Sequence, residues 1–121
     1  MTDDELTLAK RLGAHEFFWR NGMAVGHVDD PESVTGWLSP TTWALIEDEG
    51  TIPNLSDAAT KGVLLEMVRE AAACPMAWTF PRSTTEWEVQ AFSDPEERIL
   101  GEALTEGAAL ATALLAAWGE G

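Results

Sequence analysis

The sequence has no tyrosine, one cysteine, two histidines and only seven lysines and arginines. A single cysteine, Cys74, excludes an intrachain disulfide; lying in the apolar stretch Ala71-Ala72-Ala73-Cys74-Pro75, it reads as a small buried hydrophobe. With only His15 and His27 beside it, no set of metal ligands at zinc spacing can be assembled. The shortage of cations, seven against 21 acids, leaves a formal net charge of -14 and a pI near 4.2. Such a chain lacks the basic face that neutralises phosphates, which argues against direct nucleic-acid binding. The same charge argues against docking on an anionic membrane. The most apolar run, Ala108 to Trp118, is interrupted by Thr112 and is too short to span a bilayer. Met1-Thr2-Asp3-Asp4-Glu5 is negative where a secretory signal begins positive. The expected compartment is the cytosol: that of a bacterial host cell if the chain is viral, or a virion for an assembly protein.

Catalytic signatures are also missing. There is no glycine-rich phosphate loop, no dinucleotide fingerprint and no serine in a nucleophile-elbow context. Glu47-Asp48-Glu49-Gly50 lacks the alternating ligands of a calcium loop and reads as a solvated turn. Carboxylates are too numerous for any one pair to stand out as an acid–base dyad. No catalytic residue, metal or cofactor is therefore assigned, and the chain is read as a non-enzyme.

What is present is the material of one globular domain over residues 1–121: 45% hydrophobic and 23% charged residues. Residues 3–14 read as a helix with a Thr2/Glu5 capping box, acids at its start and Lys10 and Arg11 near its end. The aromatic run Phe17-Phe18-Trp19 leads into Asn21-Gly22, a hairpin signal whose second arm would be Met23 to Val28. Residues 29–53 read as an irregular excursion, with a short strand at Trp37-Leu38. Ser39-Pro40 suits the start of a short helix, but Glu47, Asp48 and Glu49 would then crowd its negative end. Thr41 to Ile46 therefore fits either a helix, towards which the reading leans, or a strand turning at Asp48-Glu49-Gly50. Ser56 to Ala73 has a helical apolar stripe of Leu64, Met67, Val68 and Ala71, stopped by Pro75. Met76 to Phe80 and Glu86 to Phe92 alternate with period two and form a hairpin, with Trp78 and Trp87 on its inward faces. Asp94-Pro95-Glu96-Glu97 reads as the start of a last helix running to Trp118, although Gly101 and Gly107 would each cost about 1 kcal/mol inside it. The expected fold class is α+β: a small antiparallel sheet with one face covered by two or three helices.

The stretch Pro53-Asn54-Leu55-Ser56-Asp57-Ala58-Ala59-Thr60-Lys61-Gly62, continuing to Ala71, resembles a recurring segment of small phage and prophage proteins. Arg20-Asn21-Gly22-Met23, after the aromatic run, is similar to a second piece of the same proteins. Asp57-Ala58 stands where those proteins have Asp-Pro, and Val63 where they tend to have Cys. The resemblance implies a phage or prophage origin. The family is uncharacterised, so it supplies no active site, and Pro53, Asp57, Thr60 and Gly62 read as residues of helix initiation and packing.

Six tryptophans is a high count for this length. Trp78, Trp87 and Trp118 are expected in the core. Trp37 and Trp43 lie between Asp29-Asp30-Glu32 and Glu47-Asp48-Glu49, where they either plug the open end of the sheet or form a contact surface for a basic partner. The charge either serves solubility alone or steers a basic surface towards the chain. The function expected first is non-enzymatic protein binding by a phage or prophage accessory protein. Its partner would be a basic, nucleic-acid-handling surface, blocked by imitation of a phosphate backbone as anti-defence inhibitors do. Asp29, Asp30, Glu32, Glu47, Asp48 and Glu49 would form the contact, with Trp43 as anchor. The alternatives are an assembly protein that self-associates through sheet edges or the Ala-rich last helix, and a small enzyme or ligand-binding domain with a tryptophan-lined pocket.

Overall fold

A computed structural model describes residues 2–15, 18–47, 49–93 and 96–119. The fold is α+β, with three α-helices and two three-stranded antiparallel sheets among the described residues, where the sequence suggested one sheet. Contacts group the chain into two compact units, residues 1–63 and 64–121.

The first unit opens with α1, Asp3–Gly13. The expected capping box is present: Glu5 N donates to Thr2 Oγ1 (3.1 Å) and Thr2 N donates to Glu5 Oε1 (3.0 Å). Two orphan donors of the first turn are thereby satisfied, and Glu5, Ala9 and Leu12 are buried. The three strands of this unit are β1 (Ala24–His27), β2 (Gly36–Trp37) and β3 (Thr51–Pro53), in the order β2-β1-β3. The segment read as an irregular excursion thus supplies both partners of β1. Asn21-Gly22 does turn, with Gly22 at φ 94° and Met23 N donating to Arg20 O. The hairpin expected there is absent among the described residues, because the aromatic run is used for packing. Phe18 is fully buried and meets Trp19 edge-on, ring centroids 5.4 Å apart; Phe17 lies outside the described residues. The helical reading of Thr41 to Ile46 survives as one 3-10 turn, Trp43–Ile46.

The helix read over 56–73 is α2, Ala58–Ala71, whose residues fall in both units. Leu64, Met67 and Val68 of its stripe are buried. Cys74 N donates to Arg69 O and Ala73 N to Glu70 O, the two bonds of a Schellman ending, with Ala73 in the left-handed region (φ 53°) that usually holds glycine.

The second unit carries β4 (Trp78–Ser83), β5 (Glu86–Ser93), β6 (Glu96–Ala103) and α3 (Glu106–Ala117), the sheet running β4-β5-β6. The β4–β5 hairpin is the one read from the sequence. Two details differ. The long last helix is a strand followed by a shorter helix, and Asp94 and Pro95, its expected start, lie outside the described residues. The real start is Thr105, whose Oγ1 accepts from Ala108 N (3.2 Å). The inward face of β4 is also reversed: Ala77 is fully buried, whereas Trp78 is 51% and Phe80 36% exposed. Register places Thr79 opposite Val89 and Val89 opposite Gly101, so this row beneath α3 is made of small residues. A Cβ on Gly101 would lie 2.7 Å from Ala113 N and 2.8 Å from Ala109 O, a separation that leaves no room for indole rings. Cys74, Ala77 and Ala91 form a buried apolar cluster, with Leu100 packed against it. Leu100 is the extra residue of a bulge, since Val89 pairs with Gly101 and Gln90 with Ile99.

The reassignment of residues 96–103 from helix to strand sets a sign. Gly101→Ala is expected to destabilise the protein by about 1–3 kcal/mol, because the methyl group meets backbone that cannot yield. In a continuous helix the same change would add about 1 kcal/mol of stability. Urea denaturation of the two proteins distinguishes these outcomes.

Candidate functional site

The antiparallel pairing of β1 with β3 matches Val25 with Pro53, Gly26 with Ile52 and His27 with Thr51. The loop leaving β1 and the loop arriving at β3 therefore share one end of the sheet. The first carries Asp29, Asp30 and Glu32; the second carries Glu47 and Glu49. Asp48 lies outside the described residues.

His27 joins the two loops. Its Nδ1 accepts from Asp29 N (3.1 Å), and its Nε2 stands 2.9 Å from Glu49 O. A backbone N–H can only donate, so Nδ1 is the acceptor and Nε2 carries the hydrogen given to the Glu49 carbonyl. Asp29 Oδ2 lies 3.4 Å from Nδ1, a contact that becomes ionic only on protonation of the ring. Val28 N donates to Gly50 O (2.9 Å), adding a backbone tie. Within the first loop, Ser33 Oγ donates to Asp30 Oδ2 (2.7 Å) and Ser33 N to Asp30 O (3.2 Å). Gly50 fits this clasp closely. Its φ is 82°, and a Cβ there would lie 2.9 Å from His27 Nε2 and 3.0 Å from Val28 Cγ2.

The carboxylates face solvent: Asp29, Asp30, Glu32, Glu47 and Glu49 are all exposed. Among the described residues, no lysine or arginine pairs with Asp29, Asp30, Glu47 or Glu49. Their charges are thus unneutralised, and His27 ties the backbone at Asp29 to that at Glu49, which makes this end of the sheet a local source of negative potential.

Trp43 is placed elsewhere. Its Nε1 donates to Asn21 Oδ1 (2.8 Å), which precedes β1, whereas the acids follow its far end. Trp37 behaves alike, Nε1 donating to Asp57 Oδ2 (3.3 Å). Both indoles remain exposed, by 52% for Trp37 and 39% for Trp43. They form an aromatic end of the sheet, separate from the acidic one.

A second set of contacts goes beyond the helix initiation read from the sequence. Thr60 is fully buried; its Oγ1 accepts from Ala24 N (2.7 Å) and donates to Asp57 Oδ2 (3.2 Å). Ala24 O in turn accepts from Asn54 N (3.0 Å). Asp57 caps α2 through Thr60 N (3.0 Å), at the spacing expected of a helix cap. Asn54 and Thr60 thus close on Ala24, two residues beyond the Asn21-Gly22 turn. The signal available in the sequence was Asp57-x-x-Thr60, which gave the cap but not the long-range bond.

A groove of about 400 Å³ lies beside the clasp, lined by Gly26, His27, Thr35, Thr41, Thr42, Ala44, Leu45 and Thr51. Among the described residues its lining has neither a tryptophan nor a carboxylate, and the hydroxyls of Thr35 and Thr42 are given to Val25 O and Trp37 O. Among the described residues no group of three or more His, Cys, Asp or Glu is placed to hold a metal ion, and no helix is long and apolar enough to cross a membrane. Cys74 is buried as a free thiol. Comparison with family models, curated proteins and solved structures finds no match to this chain.

The clasp makes Gly50 costly to replace, whereas Gly62 has open space beside it. Gly50→Ala is expected to lower stability by about 1–3 kcal/mol, from the left-handed backbone and from displacement of the imidazole. Gly62→Ala, in α2 with nothing within 4 Å of the new methyl group, is expected to gain up to about 1 kcal/mol. Denaturant titration of both variants checks the contrast.

Proposed function

We propose that this chain is a phage or prophage accessory protein that acts without catalysis, by binding a basic, nucleic-acid-handling protein through the acidic end of its first sheet. The observation that carries this reading is the joining, through His27, of two acidic loops at one sheet end, with Asp29, Asp30, Glu47 and Glu49 exposed and, among the described residues, paired with no lysine or arginine. Support comes also from the net charge of -14 and from the resemblance to small phage proteins. A surface that grips duplex DNA is built for about one negative charge per 1.7 Å of helix axis, spread along a rigid path. Carboxylates fixed on a sheet end offer the same kind of field without a nucleotide, and the net charge speeds encounter with a cationic groove. The site of action on this reading is the cytosol of a bacterial host.

The exposed Trp43 belongs to this proposal only as a flanking contact, since Asn21 holds it at the other end of β1. Self-association through the last helix has less to work with, because Gly107 to Ala111 and Ala113 to Leu115 of α3 are buried.

The test is a pull-down from bacterial lysate at low and moderate salt, comparing the parent with a variant carrying Asp29→Asn, Asp30→Asn, Glu32→Gln, Glu47→Gln, Asp48→Asn and Glu49→Gln. The parent is expected to retain a DNA- or RNA-handling protein that added duplex DNA displaces. The variant is expected to lose about tenfold or more of that capture, with a weaker salt dependence. Equal capture by both proteins, or a partner that DNA does not displace, contradicts the proposal.

A further inference from the structure

The sheet of the second unit has two faces of opposite character. The inner face is small and apolar, with the α3 backbone close enough to exclude a Cβ at Gly101. The outer face is ordered by register into rows. Trp78, Gln90 and Ile99 form one row across the three strands, and Phe80, Glu88 and Glu102 form the next. Trp78 and Ile99 are each 51% exposed. Strand spacing separates them by about 10 Å, and Phe80 follows Trp78 on the same face at about 7 Å. Exposed apolar side chains gathered on one face differ from apolar residues scattered singly, and they mark an interaction surface.

Beside this apolar half lies a charged half. Arg82, the extra residue where the β4 register shifts, brings Nη1 to 3.1 Å from Glu88 Oε1 and 3.3 Å from Glu102 Oε2. Its Nε lies 4.0 Å from Glu86 Oε2. Three carboxylates share one guanidinium, so the cluster is negative. Gln90 Nε2 donates to Glu88 Oε2 (2.8 Å), so both Glu88 oxygens are engaged, while Glu86 and Glu102, both exposed, meet Arg82 through Oε2 alone and present Oε1 to a further cation. At the other margin the Arg69 guanidinium already sits 5.1 Å over the Trp78 ring, so the aromatic part of this face accepts such a group.

We infer that this outer face is a docking surface for a cationic segment of another protein that carries an apolar anchor. Lysine or arginine side chains of the segment meet Glu86 and Glu102, and its apolar residues lie over Trp78, Phe80 and Ile99. Charge selects this occupant over a second copy, which would bring the same negative cluster and another formal -14 against it. Pro81 and the register shift at Arg82 blunt the β4 edge against strand addition, so the segment lies across the face. The inference rests on the reading that the partner is basic. It adds that the partner is also apolar and that it contacts residues 78–102.

The test is a chemical-shift titration of the full chain with a short synthetic peptide of alternating arginine and leucine, beside arginine–serine and glutamate–leucine versions. The arginine–leucine peptide is expected to shift the amides of β4, β5 and β6 and to bind about tenfold or more tightly than either control. Trp78→Ser and Ile99→Ser should each weaken it about tenfold, and Glu102→Gln a few-fold, at unchanged melting temperature because these side chains are exposed. Should Trp78→Ser fail to fold, Ile99→Ser and Glu102→Gln carry the comparison. The variant neutralised at Asp29 to Glu49 should still show the β4–β6 shifts, which separates this surface from the acidic sheet end. Equal binding of the glutamate–leucine peptide, shifts confined to residues 28–50, or a concentration-dependent dimer abolished by Trp78→Ser would each overturn the inference, the last by making a second copy the occupant.

Discussion

Three backbone pairings between β1 and β3 carry the organisation of the acidic surface. They are short-range in space but long-range in sequence, since His27 pairs with Thr51. Once formed, they bring the loop after β1 and the loop before β3 to one place, and His27 then bonds both. Like charges gathered in this way repel, so the sheet must work against that repulsion. It is held from the opposite end by the buried Thr60 hydroxyl and by Asn54, which together take both polar groups of Ala24. Leaving a buried amide without a partner costs about 1–3 kcal/mol, so this anchoring matters on the scale of a small unit's stability. The residues around Asn21 and Asn54 to Thr60 thus hold the scaffold, while the residues at the far end of β1 face outward.

Much of the fold was legible because it is local. The α1 capping box, the α2 stripe and its stop before Pro75, and the β4–β5 alternation are each set by residues a few positions apart. What the sequence obscured is set by neighbours distant along the chain. Trp78 and Phe80 have the pattern of a buried face, yet Ala77 is buried in their place because an alanine-rich helix packs at backbone distance over Gly101. Residues 96–103 carry glutamates and a proline-led start that suit a helix, yet the third place in a sheet was open to them. Gly101 and Gly107 were the warning, each unfavourable inside a helix, and Thr105 was the unread cap. Of the candidate site, the acids were legible as residues and their exposure followed from charge. Their meeting was not legible, because it depends on strand pairing across an excursion that has no strong strand pattern, and on an imidazole that the sequence alone weighs only as a metal ligand.

On the proposed reading, each unit offers its own means of holding a basic partner. The first gathers unneutralised carboxylates at a sheet end and gives range and speed of encounter, which salt screens over about 10 Å. The second presents apolar side chains next to a partly neutralised cluster, and burial of such side chains gives affinity that salt does not remove. On that reading the net charge of -14 has a role beyond solubility, since it favours the approach of cationic surfaces.

Nuclear Overhauser contacts between the Gly50 α-protons and the His27 imidazole test the central feature most directly, because they report the closure of one acidic loop on the other. The account predicts strong contacts from Gly50 to the ring Hε1, together with slow exchange of the Val28 amide that donates to Gly50 O. A freely rotating imidazole with no contact to Gly50, and a Val28 amide exchanging as in an open loop, would contradict it.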